Sequence, residues 1–155
     1  YQVFGRELIR KLKFERGLAA AAVAAQAIHQ QFAEEFSDSP VFVPIPTASS
    51  RVRQRGYDQS VLIARQLAKH SGGSCVRALE RSGQHRQTGR SRTERLTQLE
   101  GAFYANPKRL REINSVILVD DVVTTGATLE AATDTLHQAG AAHISAAVFA
   151  RSEKD

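Results

Sequence analysis

Val116-Ile-Leu-Val-Asp-Asp-Val-Val-Thr-Thr-Gly-Ala-Thr128 is the stretch whose reading decides the fold. Its first four residues are apolar, and three of them are Val or Ile. Such a run, short and without alternation, reads as a strand buried on both faces of a parallel sheet. Two adjacent carboxylates follow, Asp120 and Asp121. They are expected to emerge at the strand's carboxyl end, where open α/β sheets bind their ligands. Thr124, Thr125, Gly126, Ala127 and Thr128 then form a loop that runs into a helical pattern. Backbone N–H groups and hydroxyls at a helix N-terminus suit a phosphate. Carboxylates for sugar hydroxyls beside a phosphate nest describe a site for a phosphorylated ribose. The residues alone leave a plainer alternative, in which the acids cap the helix and Gly126 serves a turn.

Outward from this stretch the pattern alternates. Residues 5–36 read as helix, with Gly17 as a break, stopped by Ser37-Asp38-Ser39-Pro40. Val41 to Ile45 is a short strand closed by Pro44-Ile-Pro46, since proline cannot donate to a ladder. Residues 47–57 read as a basic loop, and Asp58 as the cap of a helix with Val61, Ala64, Leu67 and Ala68 on one face. Cys75 to Leu79 reads as a strand, 81–95 as a long mobile basic loop, 93–99 as a short helix, and Phe103-Tyr-Ala105 as an extended piece. After the phosphate loop, Leu129, Ala132, Leu136 and Ala139 form one helical stripe ended by Gly140, and Ile144 to Phe149 is a last strand. Alternating strands and helices predict an α/β fold with a mostly parallel sheet between helices.

Composition narrows the chemistry. The chain has 155 residues, 42% hydrophobic and 24% charged, an ordinary globular mixture that suits a single domain. No apolar run is long enough to span a bilayer, so membrane insertion is not expected and a cytoplasmic location is the default. The one cysteine, Cys75, has no internal partner, and the histidines show no ligand spacing, so no metal site of protein ligands alone is expected. G-x-x-x-x-G-K-[ST] and G-x-G-x-x-G do not occur. The net charge of +5 favours anionic partners, and the basic residues are clustered: Arg51, Arg53 and Arg55 in one segment, Arg77, Arg81, Arg86, Arg90, Arg92 and Arg95 in another. Arginine forks match phosphate oxygens, so each cluster reads either as an anion site or as a solvated basic surface.

The 116–128 run resembles the phosphoribosyl-pyrophosphate (PRPP) motif of type I phosphoribosyltransferases. In that family the acidic pair binds the two ribose hydroxyls and the threonine-rich loop the 5′-phosphate, which implies Asp120 and Asp121 for the first and Thr124 to Thr128 for the second. Pro44-Ile-Pro46, Arg55-Gly-Tyr-Asp-Gln59, Gln87 to Leu96, Gly101-Ala-Phe103 and the PRPP motif stand in the order typical of the ComF-like branch, which includes GntX-type proteins. The resemblance covers nearly the whole chain. It implies the type I fold over residues 1–155, with a helical segment 1–36 and a catalytic-type core 41–155. It implies Arg51, Arg53 and Arg55 in a loop on the pyrophosphate side, and Arg86, Arg90, Arg92 and Arg95 in a flexible loop over the site. Mg²⁺ is implied as cofactor, held through ligand and water near Asp120 and Asp121. The implied activity is phosphoribosyl transfer with pyrophosphate release. The alternative it carries is a competence protein, weakly catalytic or not catalytic, that binds single-stranded DNA and protein partners in DNA uptake. Two departures stand out. The family's usual Arg-Gly-Phe-Asn-Gln is here Arg55-Gly-Tyr-Asp-Gln59, and the cysteine-rich zinc-binding segment that opens many members is absent, as expected if the chain is a fragment.

Overall fold

The computed structural model describes Arg10 and residues 17–36, 38–81 and 102–151. The expected short helix at 93–99, most of the basic loop, and the first half of the N-terminal helical segment lie outside them.

Helix α1 (Gly17–Phe32) is rich in alanine, the strongest helix former. Ala20, Ala21, Ala24, Ala25 and Ile28 recur at helical spacing and are buried. At Gly17 the chain lies against the ring of Tyr57, which a Cβ would strike. It passes into a short 3₁₀ turn, Ala33–Glu35, so the expected continuous helix to residue 36 ends earlier. Strand β1 (Val41–Pro44) follows. The segment read as a basic loop is a two-turn helix, α2 (Ser49–Arg55). Helix α3 (Gln59–Ser71) then presents Ile63, Ala64, Leu67 and Ala68 to α1. The predicted strand from Cys75 to Leu79 is two strands. Ala78 N–H turns back to the Val76 carbonyl at 2.9 Å, a three-residue turn that separates β2 (Ser74–Cys75) from β3 (Leu79–Arg81). Strand β4 (Phe103–Ala105) pairs antiparallel with β3. Strand β5 (Ser115–Val123), helix α4 (Ala127–Gln138) and strand β6 (His143–Arg151) complete the described chain.

The main sheet has the order β2-β1-β5-β6, every neighbouring pair parallel. Alternation along β5 explains why its sequence is apolar throughout. Ile117 and Val119 enter a core built with α1, α3 and Phe42. Val116 and Leu118 enter a second core with Val43, with Leu79 and Phe103 of the β3–β4 hairpin, and with Ala132 and Leu136 of α4. The sheet is therefore covered on both faces, as the sequence predicted. Helix α4 ends in a Schellman arrangement: Ala141 N–H reaches the Leu136 carbonyl and Gly140 N–H the His137 carbonyl, both at 3.0 Å.

Connectivity fixes where a ligand can bind. From β1 the chain crosses through α3 on one face to reach β2 on one side; from β5 it crosses through α4 on the other face to reach β6 on the other side. The winding reverses between β1 and β5, and a crevice opens at the carboxyl ends of strands flanking such a point.

Candidate active site at the switch point

Asp120 and Asp121 lie at this point. Strand β1 pairs with β5 as far as Pro44↔Val119, and Ile45 N–H adds a last bond to the Val119 carbonyl at 2.9 Å. Beyond it β5 continues to Val123 beside β6 alone. The two acids thus stand inside the strand and just past the end of its neighbour, rather than after the strand as expected.

Asp120 is held by two donors on one oxygen. The backbone N–H of Asp121 donates to Oδ1 at 2.8 Å, and the hydroxyl of Ser60 donates to the same oxygen at 3.1 Å. Ser60, in the first turn of α3, is 1% exposed. Burial pushes the Asp120 carboxyl up to about 7, and the neighbouring charge of Asp121 adds to the rise; the two hydrogen bonds oppose it. A carboxyl raised in this way by burial and a neighbouring charge is the kind of group that clusters at functional sites, and this one stands near the carboxyl end of β5.

The loop after β5 supplies the second part. Gly126 adopts φ 87°, a left-handed conformation that favours glycine, and caps α4. Its carbonyl accepts the first helical bond, from Glu130 N–H at 3.0 Å, and Thr125 Oγ1 accepts from Ala127 N–H at 3.4 Å. Thr124, Thr125, Ala127 and Thr128 are exposed. The first-turn N–H groups of an α-helix lack intrahelical partners, and those of α4 open toward this loop.

Arg51, Arg53 and Arg55 are not gathered by a loop. On α2, Arg51 and Arg55 are one turn apart on the same face, while Arg53 falls nearly opposite, as the helical period of about 100° per residue requires. The α2 excursion leaves from the carboxyl end of β1 and is closed by Asp58. That residue occupies the N-cap position of α3, yet its side chain makes no cap bond. Its carboxylate instead accepts the Thr47 N–H at 3.0 Å and the Thr47 hydroxyl at 3.1 Å. Of the second basic cluster, Arg77 and Arg81 are described; Arg77 is exposed, and its carbonyl accepts from the Arg109 guanidinium at 3.0 Å. Arg81 is the one that reaches the β1 exit. It donates to the Pro46 carbonyl at 3.3 Å and lies 5.3 Å from the Phe103 ring centroid, joining the β1 exit to the β3–β4 hairpin. Arg86, Arg90, Arg92 and Arg95 lie outside the described residues.

A groove of about 790 Å³ runs between β4 and the outer face of α4, and it meets the phosphate loop only at Ala127. The acid pair does not line it. Among the described residues no helix is long and apolar enough to cross a membrane.

Residues 12–155 match the phosphoribosyl transferase domain family. The chain belongs to that family. It is 29% identical over 154 residues to competence protein ComFC of Bacillus subtilis, covering 98% of this chain, and 30% identical over 150 residues to competence protein F of Haemophilus influenzae, covering 88% of it. The chain spans 62% and 63% of the length of these two relatives, which support the ComF-like branch. Two solved structures share its fold: the allosteric regulatory enzyme of purine biosynthesis (TM-score 0.57, 16% identity, 90% of this chain and 29% of that one) and the glutamine PRPP amidotransferase of B. subtilis (TM-score 0.55, 18% identity, 90% and 30%). The fold is the type I phosphoribosyltransferase fold expected from the sequence.

Ser60, which bonds Asp120, and the Thr47–Asp58 latch at the base of α2 are contacts around the candidate site that sequence reading missed. Ser60 follows directly on Arg55-Gly-Tyr-Asp-Gln59 and looks like an ordinary first-turn helix residue. Its one distinguishing signal is position: it falls on the α3 stripe continued by Ala64 and Ala68, where a hydroxyl has no packing purpose.

Proposed function

We propose that the chain binds PRPP or ribose 5-phosphate at the switch point and transfers the phosphoribosyl group to an acceptor with release of pyrophosphate. The observation that carries this reading is the joining of two elements by β5: an acid pair past the end of β1 and, directly after it, an open loop at the N-terminus of α4. Carboxylates accept the donors of a ribose diol, and helix N–H groups with threonine hydroxyls bind a phosphate. In the reaction the bond from the anomeric carbon to pyrophosphate breaks, the electron pair leaves with pyrophosphate, and the acceptor supplies the new bond and loses a proton. As positive charge develops on the sugar, Asp120 and Asp121 stabilise it across a short distance at low dielectric. Arg51 and Arg55, on one face of α2, are suited to the departing anion.

The site suits Mg²⁺: its donors are hard carboxylate and hydroxyl oxygens beside a phosphate nest, and this cation keeps several waters and takes phosphate oxygens. It would sit next to Asp120 and Asp121, held by ligand oxygens and water, and supply charge neutralisation at pyrophosphate. Calorimetry with PRPP and Mg²⁺ tests binding, and a pyrophosphate-release screen over candidate acceptors tests transfer. No heat of binding at millimolar PRPP would overturn the reading.

A second reading is favoured by the exposure of Arg51 and Arg53 on α2 and by the likeness to competence proteins: the basic surface binds single-stranded DNA, and the pocket serves a role in DNA uptake.

A further inference from the structure

Asp120 can read a sugar hydroxyl only if its carboxylate keeps one orientation, and one of its two anchors is insufficient for that. The N–H of Asp121 comes from the next residue in the chain and moves with it. The Ser60 hydroxyl comes from another element, 60 residues away in sequence, and bonds the same Oδ1. Two donors from independent directions fix where Oδ1 sits, and with it the Asp120 rotamer; the local bond alone does not tie the side chain to a second element.

Ser60 is itself rigidly placed. Ile63 and Leu67, fully buried, hold α3 against the sheet, and the Thr47–Asp58 latch fixes where the helix begins. At 1% exposure its hydroxyl has no access to water, so burying it would be costly without a partner. The stripe continues with Ala64 and Ala68, and alanine at 60 would satisfy packing equally well. The partner that accounts for the hydroxyl is Asp120.

We propose that Ser60 is a positioning residue of the acid pair, pinning Asp120 Oδ1 so that the carboxylate holds the orientation that reads a ribose hydroxyl. This rests on the phosphoribosyl reading above.

The test uses the full chain with Ser60→Ala, and with Ser60→Cys, which is slightly larger and keeps a donor, though a weaker one. Three-bond couplings report the Asp120 χ1 angle without ligand. They are expected to show one rotamer in the parent and averaging in Ser60→Ala. Calorimetry then compares ribose 5-phosphate with inorganic phosphate, both with Mg²⁺. Ser60→Ala should weaken ribose 5-phosphate about tenfold, the size of one lost bond to a charged group, and leave inorganic phosphate unchanged. Ser60→Cys should fall between variant and parent, and it stands in for Ser60→Ala should that variant not fold. Unchanged couplings overturn the Ser60 assignment alone. Equal losses for both ligands overturn it too, since they report general disruption. A parent that binds no ribose 5-phosphate overturns the phosphoribosyl reading instead.

Discussion

The carboxylate of Asp58 receives both donors of Thr47, the backbone N–H at 3.0 Å and the hydroxyl at 3.1 Å, and so closes the α2 excursion at its base. The pair stand eleven positions apart in sequence. Everything between them, including the three arginines, hangs from this clasp, and α3 with Ser60 starts from it. Hydrogen bonds to a charged acceptor are the stronger kind, worth about 1.5–3 kcal/mol each at best. Asp58→Ala is therefore expected to destabilise the chain by about 2 kcal/mol, lowering the melting temperature by roughly 4–8 °C at this size. Asp58→Asn, which keeps one acceptor, should lose about half as much. Thermal unfolding of the variants measures both, and a drop under about 1 °C for Asp58→Ala would show that the clasp carries no load.

Removing both acids tests the proposed ribose site directly. Asp120→Ala with Asp121→Ala takes away two charged acceptors, and PRPP affinity should fall about a hundredfold or more. Calorimetry on the folded double variant gives the answer. Parent-like affinity would displace the site from β5.

The raised Asp120 carboxyl makes a signed prediction about pH. Its ordinary value near 3.8 rises to about 7 in the fold, through burial first and the charge of Asp121 second. The folded state therefore binds a proton more readily than the unfolded chain. The group favours the fold fully below the unfolded value, and that contribution is lost as pH rises through about 7. Asp120→Asn keeps an acceptor for Ser60 and Asp121 N–H and carries no such charge. Its stability relative to the parent is expected to grow between pH 5 and pH 8, as read by urea unfolding. Ligand binding should run the other way. An ionised Asp120 accepts a hydroxyl more strongly, so ribose 5-phosphate should bind more tightly above pH 7 and release protons in doing so. Calorimetry in buffers of different ionisation heat detects that release, and the Asn variant should lack the part due to Asp120.

Much of this was legible in the sequence, and the limits have physical causes. The run Val116 to Val119 identified a strand buried on both faces because no polar residue interrupts it, and Leu129, Ala132, Leu136 and Ala139 identified α4 because their spacing is helical. The segment Ser49 to Arg55 hid its helix. It holds one apolar residue, Val52, so no periodicity exists to be seen, and its order comes from the Asp58 clasp outside it. Cys75 to Leu79 read as one strand because its composition is strand-like throughout, whereas the turn at Val76–Ala78 is set by which sheet each end joins. Ser60 was invisible for a related reason: its role is a contact across 60 residues, and no local pattern encodes that.

Gly126 offers a test of the phosphate loop separate from the acids. Its φ of 87° is unfavourable for a side chain, while no atom lies within 4 Å of where a Cβ would stand. Gly126→Ala therefore strains the backbone without a collision, at about 1–2 kcal/mol. If the loop relaxes to relieve that strain, the N–H groups at the start of α4 shift. Affinity for inorganic phosphate is expected to fall severalfold, with the Asp120 rotamer unaffected. Isothermal titration with phosphate, beside the Asp120 couplings, separates the loop from the acid pair; unchanged phosphate affinity in a folded variant would remove the loop from the site.

The arginines of α2 distinguish the two proposed functions, because the helix sorts them. Arg51 and Arg55 share a face and Arg53 stands nearly opposite. A single pyrophosphate engages one face, so Arg51→Ala should weaken PRPP while Arg53→Ala leaves it close to the parent. Single-stranded DNA tracks a surface and responds to total charge. Each neutralised phosphate contributes about −0.7 to the log–log salt slope on single strands, so replacing Arg51 and Arg53 together should flatten that slope by about 1.4. Fluorescence anisotropy with an unstructured oligonucleotide across a salt series measures the slope, and calorimetry with PRPP measures the rest. On the catalytic reading, only Arg51→Ala changes PRPP affinity and DNA binding stays weak and nonspecific. If both single variants weaken DNA equally and PRPP binding responds to neither, α2 belongs to a nucleic-acid surface and the departing pyrophosphate must be held elsewhere.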